Sequence, residues 1–407
     1  MANTVLTPTI IAKEALMILE NECVMGKLVY RGYESEFDKN YNGYSVGQTI
    51  NVRRPTDFVV RTGRTASVQD VTEGSFVMTV NTQIGVDFQF TSQDLTQTIR
   101  DLSERVIKPA VIQLANKIDS DLTALYSTGY NWVNPGAAAS TINSFDDFAE
   151  GPKRLDQLGV PQDARAAVLS PVDYWAMAGS QTALFLQNIG NPAYKKAEIG
   201  MIGGVNTWLS QNVASHTRGT AVTCTVNSLF TTSYASTLNS NTMSIALEFA
   251  ASRSIETGAV FTLSGVNAVN PVTKANAGYL QQFVVVGGAA GGTGAVTVTI
   301  TPPIITSGAF QTVTAAPTAS SSGVFVGSAS AVYNQNLVFH KNAMALCVAP
   351  LVMPQGSVDG ARESYKGYSV RVIPYYSGSN DISAWRLDVL YGAKLLDPRL
   401  LVRLNGA

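Results

Sequence analysis

An apolar stripe at helical spacing runs from about Thr91 to Thr128 and constrains the fold more than any other stretch. Leu95, Ile99, Leu102 and Val106 recur at steps of four, three and four. The stripe then slips by one residue and resumes as Ile107, Val111, Leu114, Ile118, Leu122 and Leu125. This periodicity predicts an amphipathic helix of unusual length. Thr91 is placed to cap it, with Asp94 in the favourable first turn. Asp101 with Arg105 and Glu104 with Lys108 form acid-first pairs four residues apart, which support an exposed face. Gly129 follows the end, where a left-handed cap residue is wanted. The slip coincides with Pro109, whose ring removes a backbone donor and predicts a kink. At roughly 1.5 Å per residue the rod is about 55 Å long, more than one compact domain requires. Two helices meeting at Lys108–Pro109 inside an ordinary core fit the same pattern.

A chain that exposes such a rod must bury it against something, and its charge pattern fits burial against copies of itself. Only 14% of its 407 residues are charged, against a typical ~25%. The net charge is −1, so nothing in the total marks a dedicated nucleic-acid binder. A neutral surface promotes association. The three cysteines, Cys23, Cys224 and Cys347, form no CxxC, and their odd number argues against a disulfide framework. No secretory leader is evident and no apolar run reaches the ~18 residues of a membrane span. A soluble product made in the cytoplasm is expected.

The segments around the rod differ in character. Residues 1–46 read as an arm, with Thr9 capping a short helix to about Met25 that buries Ile11, Ala15, Ile18 and Leu19. Residues 47–92 read as a long two-stranded β projection, its strands carrying Phe76, Met78 and Val80 on one side and Val86, Phe88 and Phe90 on the other. Such a ribbon is marginal alone in water and needs a partner. Residues 93–130 are the rod. Residues 131–221 read as mixed α/β: Ser144, with Asp147 three positions on, opens a helix that ends near Gly159-Val160-Pro161. Ala166–Leu169 and Thr207–Leu209 read as strands. From His216 to Ala343 the charge nearly vanishes, leaving Arg218, Glu248, Arg253, Glu256, Lys274 and Lys341. Short alternating runs there predict an inserted all-β domain, a small barrel or sandwich, bounded at 222–343. The remainder, 344–407, returns to strands, with Tyr368–Tyr376 and Ile382–Tyr391 as a hairpin.

No catalytic constellation emerges. His216 and His340 are the only histidines and lie far apart. No HExxH or G-x-S-x-G occurs, and the glycine run at 287–294 lacks the Lys-Ser/Thr of a phosphate loop. Asp119-x-Asp121 and Asp146-Asp147 read as caps or as side chains pointing apart. No catalytic, cofactor-binding or metal site is expected. The strongest interaction candidates are Arg53, Arg54, Arg61 and Arg64, on the polar stretch of the β projection. They suit a salt-bridged contact with another protein better than nucleic acid, for which only Phe58 offers an interleaved aromatic ring.

The order of local motifs carries a resemblance. Ile107-Lys108-Pro109-Ala110 with Lys117-Ile118-Asp119-Ser120-Asp121 is followed by Leu158-Gly159-Val160-Pro161 and the AVLSP run Ala167–Pro171. Then come IGMIGGVNTWLSQNV (Ile199–Val213) with His216-Thr217-Arg218-Gly219, GVNAVNPVTK (Gly265–Lys274) with Leu280-Gln281-Gln282-Phe283, and NLVFHKNAMAL (Asn336–Leu346). Over nearly its whole length the chain resembles the major capsid (coat) protein of tailed double-stranded DNA bacteriophages. The likeness is to the podophage coat-protein branch with an inserted β-barrel.

The resemblance implies an α+β tailed-phage capsid fold. Its parts are an N-terminal arm, an extended β-hairpin loop, a spine helix, peripheral and axial domains, and the inserted barrel. The implied function is self-assembly into an icosahedral shell of hexamers and pentamers, a structural role without chemistry. The implied partners are copies of itself, a scaffolding protein, a portal protein and, by non-specific contact, the packaged DNA, with no membrane. The protein would reside in the virion after assembly in the host cytoplasm, and the shell would expand on maturation. Glu14, Glu20 and Glu22 on the arm helix are candidates to bind a basic scaffold segment. Some relatives weld subunits by a Lys–Asn isopeptide bond from the β projection, but residues 40–107 contain no lysine, so no such cross-link is expected. An encapsulin-like compartment and, from a different class, a β-rich adhesive surface protein are the competing readings.

Overall fold

The computed structural model describes residues 8–34, 40–41, 44–45, 49–53, 57–58, 60–61, 63–66, 68, 75–91, 106–136, 140–182, 200–227, 242–288, 291–354, 360–378 and 381–406. The chain forms two compact units, one from residues 1–51, 77–122 and 344–394, the other from 52–76, 123–343 and 395–407.

In the first unit the arm helix α1 (Pro8–Glu22) starts one residue before the expected cap, with Pro8 at its first position, where a missing N–H costs nothing. It packs on the strands Ala361–Tyr365 and Tyr368–Ser377. Ile11, Ala12, Ala15, Leu16 and Leu19 are buried, and Ile18 is half-buried. Within this unit the described part of the arm, residues 8–34, packs on its own subunit. After a break at Cys23–Val24 a single further turn, α2 (Met25–Leu28), follows.

The rod's carboxyl half is α3 (Lys108–Thr123), continued by a 3₁₀ turn, Ala124–Thr128. Ile107, Val111, Leu114, Ile118 and Leu122 are all buried, as the stripe requires. Residues 106–107 form a π-type turn. Such a turn takes in one extra residue, which explains why the stripe slips by one at this point. Pro109 sits in the first turn of α3, and the kink expected against the Arg105 carbonyl falls outside the described residues. The amino half of the rod, with Leu95, Ile99, Leu102 and its acid-first pairs, lies outside the described residues. Thr91 ends a strand, and Gly129 is extended at φ −83° instead of left-handed.

The sheet of this unit runs Met344–Ala349, Ile382–Leu395, Tyr368–Ser377, Ala361–Tyr365. The expected hairpin pairs Arg371 with Asp388 and Tyr376 with Ser383. Thr82–Thr91 does not belong to the projecting ribbon. It pairs antiparallel with Ile382–Tyr391, from Thr91 opposite Ile382 to Thr82 opposite Tyr391. The ribbon itself is the two-stranded ladder of Thr49–Arg53 and Ser75–Thr79.

The second unit holds a six-stranded sheet and a closed barrel. The sheet order is Asn131–Val133, Leu401–Leu404, Asn336–His340, Arg165–Leu169, Val205–Leu209, Met201–Ile202. Two helices cover it, α4 (Phe145–Gln157) and α5 (Pro171–Thr182). Phe148, Leu155, Tyr174 and Met177 share a core with Leu169, Val338 and Leu404 of the strands. Ser144 caps α4, its hydroxyl accepting from the Asp147 amide at 3.1 Å. The helix ends in a Schellman turn. Gly159 is left-handed at φ +69°, its N–H bonds Asp156 O at 3.0 Å, and Val160 N–H bonds Leu155 O at 3.1 Å.

The barrel closes through Thr223–Val226, Met243–Ser254, Gly291–Thr301, Asn276–Gly287, Val260–Val269 and Ser322–Phe325, back to the first. Phe249, Phe261, Phe283 and Phe325 fill it, with Leu247, Val285 and Ile300 around them. Asn336–His340, which the composition shift placed inside the insertion, is a central strand of the six-stranded sheet. The chain enters the barrel through Ser215–Thr217 and leaves through Val332–Asn334, and these two segments pair with each other.

Candidate functional site

The second unit's unusual polar chemistry collects at the seam between barrel and sheet. Arg403, next to last in the terminal strand, is fully buried. Its Nε donates to Gln335 Oε1 at 2.6 Å and its Nη1 to the Gly258 carbonyl, in a barrel turn, at 2.7 Å. The guanidinium lies 4.4 Å from the Trp132 ring centroid and 5.0 Å from that of Tyr126. Arg218, also buried, donates through Nη2 to Ala221 O at 2.6 Å and Phe325 O at 3.1 Å. Among the described residues neither arginine has a carboxylate within salt-bridge distance. His216 joins the group: its Nδ1 lies 3.3 Å from the Tyr126 hydroxyl, and its ring meets Trp132 edge-on. Burial, with the two arginines adding, pushes the His216 pKa down to about 3, so the ring is neutral. Burial lowers both arginine pKa values as well.

His216 Nε2, Arg218 Nε and Nη1 and Arg403 Nη2 are buried without a hydrogen-bond partner among the described residues. An open cavity of about 500 Å³ adjoins the seam, lined by Tyr126, His216, Thr220, Ser254, Glu256 and Ser330. Trp132, Tyr333 and Tyr130 pack there with Val260 and Val284 of the barrel. The site is a cation-rich mechanical joint, with no nucleophile poised. The three thiols are buried and pushed up to about 12, hence inert. Among the described residues no group of three or more His, Cys, Asp or Glu side chains could hold a metal ion.

The first unit contains the opposite kind of joint. Val24, at the start of α2, has no side chain able to cap it, and Asp119 of α3 supplies the cap instead. Its carboxylate accepts from Val24 N at 2.7 Å and Gly26 N at 3.3 Å. Burial raises its pKa to about 6, against the pull of these amides. Nearby, Arg31 stacks 3.7 Å over the Tyr368 ring and holds Glu34 at 2.7 Å. Burial lifts Glu34 to about 7. Asp121, the other member of the Asp-x-Asp pair, takes Lys117 at 2.6 Å and the Tyr391 hydroxyl. The pair does point apart, and each member has a structural partner.

The residues singled out from sequence do not form one site. Arg53 lies on the ribbon strand and Arg54 falls outside the described residues. Arg61 donates to the carbonyls of Gly63 and Thr65, the latter at 2.9 Å, and so shapes its own loop. Arg64 is exposed. Of the arm acids, Glu20 is bound to Lys366 at 2.7 Å, Glu14 is half-buried and Glu22 is exposed. His340 is buried at the end of its strand, with Asp163 at 3.9 Å. Sequence reasoning allowed Asp119 a capping role but missed that it caps the distant α2, and it missed Arg403 as a clamp. A buried arginine in an apolar strand was the one available signal for the second.

The family model described as "P22 coat protein - gene protein 5" matches residues 1–406. The chain belongs to the P22 coat protein family. It is a major capsid protein that forms the phage shell, a structural part of the virion. No curated protein sequence matches it. Among solved structures, a chain of Mycobacterium phage Che8 is similar at TM-score 0.50 and 12% identity, over 95% of this chain and 92% of that one. A chain of the capsid of Cyanophage P-SCSP1u aligns over 89% and 84% at TM-score 0.47 and 11% identity. One from the mature capsid of bacteriophage PhiM1 aligns over 89% and 82% at TM-score 0.43 and 13% identity. The α+β fold expected for a tailed-phage capsid protein is the fold observed.

Proposed function

We propose that this coat protein assembles in the host cytoplasm as a procapsid around a scaffolding protein. One portal is included, and the shell then expands as double-stranded DNA is packed against it through non-specific contacts. Membership of the coat protein family over residues 1–406 carries this reading. In it the six-stranded sheet with α4 and α5 serves as the axial domain. The first unit serves as the peripheral domain, and the ribbon of Thr49–Arg53 and Ser75–Thr79 reaches a neighbouring subunit. Arg53, Arg54 and Arg64 make that contact, while Arg61 holds the loop in shape for it. Glu14 and Glu22 receive a basic scaffold segment. Glu20, which also holds Lys366, takes part with them. The subunits are held by repeated non-covalent contacts, each weak enough to allow correction of errors. Expression with and without a scaffolding protein, followed by negative-stain microscopy, tests the reading. Closed shells with scaffold and polyheads or aberrant shells without it are expected. Small particles at every concentration would sink it. Charge reversal at Glu14 and Glu22 should lower procapsid yield, and an unchanged yield removes the scaffold assignment alone.

A further inference from the structure

The strand Asn131–Val133 is the outer strand of the six-stranded sheet, and an open strand edge is a template for another chain. On its inner side it runs parallel to Leu401–Leu404, and Val133 O accepts from Asn405 N at 3.2 Å. In a parallel ladder each residue turns its N–H and C=O to the same side, and successive residues alternate. Val133 bonds inward, so Trp132 directs both groups outward.

One side chain meets both. The Trp132 N–H donates to Gln282 Oε1 at 2.8 Å, and Gln282 Nε2 donates to the Trp132 carbonyl at 2.7 Å. A primary amide presents the same acceptor and donor as a peptide group. The two bonds are those that a residue of an added strand would form. Gln282 is half-buried on the barrel strand Asn276–Gly287. The barrel therefore docks on the sheet by imitating a seventh strand with one residue.

We propose that Gln282 is a positioning residue that seats the barrel and closes this edge against strand addition by a second copy of the chain. A second copy is the relevant intruder because every shell subunit carries the same edge. Assembly also holds copies at high local concentration.

Two variants of the full chain separate this role from general stability. Gln282→Met keeps the length and removes both bonds. Gln282→Glu keeps the acceptor for the Trp132 amide and loses the donor. Hydrogen exchange is read at the Trp132 amide and, as an internal reference, at barrel-core amides such as Val285, alongside sedimentation velocity over a range of concentrations. In Gln282→Met the Trp132 amide should exchange about tenfold faster, as one lost hydrogen bond implies. Val285 should be unchanged, and oligomers that the native chain does not form should appear below the concentration at which shells assemble. Gln282→Glu should keep the amide protected and sediment as the native chain does. Equal Trp132 protection in all three proteins overturns the proposal, as does equally faster exchange throughout the barrel core. A freely exchanging Trp132 with no concentration-dependent association overturns the edge-blocking role.

Discussion

The arm clasp and the barrel seam are both buried polar joints between residues far apart in sequence, yet they are built from opposite charges. The clasp uses carboxylates, Asp119 and Glu34, and points them at backbone amides and one arginine. The seam uses Arg403, Arg218 and His216, and balances them with carbonyl oxygens and aromatic faces, with no carboxylate of the described residues in salt-bridge range. Asp119 meets several amides at once. Among the described residues the seam leaves four buried nitrogen atoms without partners, and the clasp leaves the Tyr368 hydroxyl. A charge taken out of water is tolerated only as far as its hydrogen bonds are completed. The clasp is thus the better satisfied of the two joints.

The largest expected effect comes from removing the ring on which the seam is stacked. Trp132→Ala should cost about 3–5 kcal/mol in urea unfolding, as for other fully buried aromatics, and a loss below that of Asp119→Ala would reverse the ranking. Asp119→Ala itself leaves the Val24 and Gly26 amides without their acceptor and should cost about 1–3 kcal/mol. Limited proteolysis should then cut near residue 24, whereas Asp119→Asn, which keeps an acceptor, should resist cutting.

The two joints should also respond oppositely to acid. Asp119 and Glu34 are raised to about 6 and 7, above the ordinary carboxylate value of ~4. The folded clasp holds protons that the unfolded chain releases. Its contribution is complete below about pH 4 and is lost as pH rises through 6 to 7. Around these carboxyls lie Lys27, Arg31, Cys23, Tyr368 and Cys347. His216 is displaced the other way, so its contribution is present above about pH 6.5 and is lost as pH falls towards 3. Hydrogen exchange corrected for intrinsic rates, at pH 7 and pH 4.5, should show the arm gaining protection relative to the seam. Parallel changes would break the comparison. The smallest effect on the subunit is expected at the exposed loop. Arg64→Ala should leave the melting temperature unchanged and make assembled shells dissociate at lower urea, and an equal loss in both would end its role as a contact.

How much could be read from the chain follows from the range of each interaction. The slip between Val106 and Ile107, the cap at Ser144 and the stop at Gly159 are set by neighbours a few residues away, and local pattern locates them. Alternation in Thr82–Thr91 shows which residues share a face. It cannot show that the partner strand begins near Ile382, and the nearest strand was the wrong choice. Asp119 capping α2 and Gln282 pairing with Trp132 are single side chains acting across 95 and 150 positions. Nothing local distinguishes them from any surface Asp or Gln. Arg403 is misleading because a guanidinium can be buried when aromatic faces and carbonyls surround it.

The insertion leaves and rejoins its host at one place. Ser215 faces Asn334 across one rung of the ladder that carries the chain out and back. At this rung the excursion leaves and returns as a tight hairpin would. A guest with closely spaced ends fits the rung, but it must also replace what the barrel supplies to the sheet, the Gly258 carbonyl for Arg403 and the Gln282 amide for Trp132. On that view the barrel is a cartridge, and this rung is the natural place to splice in a cargo for display.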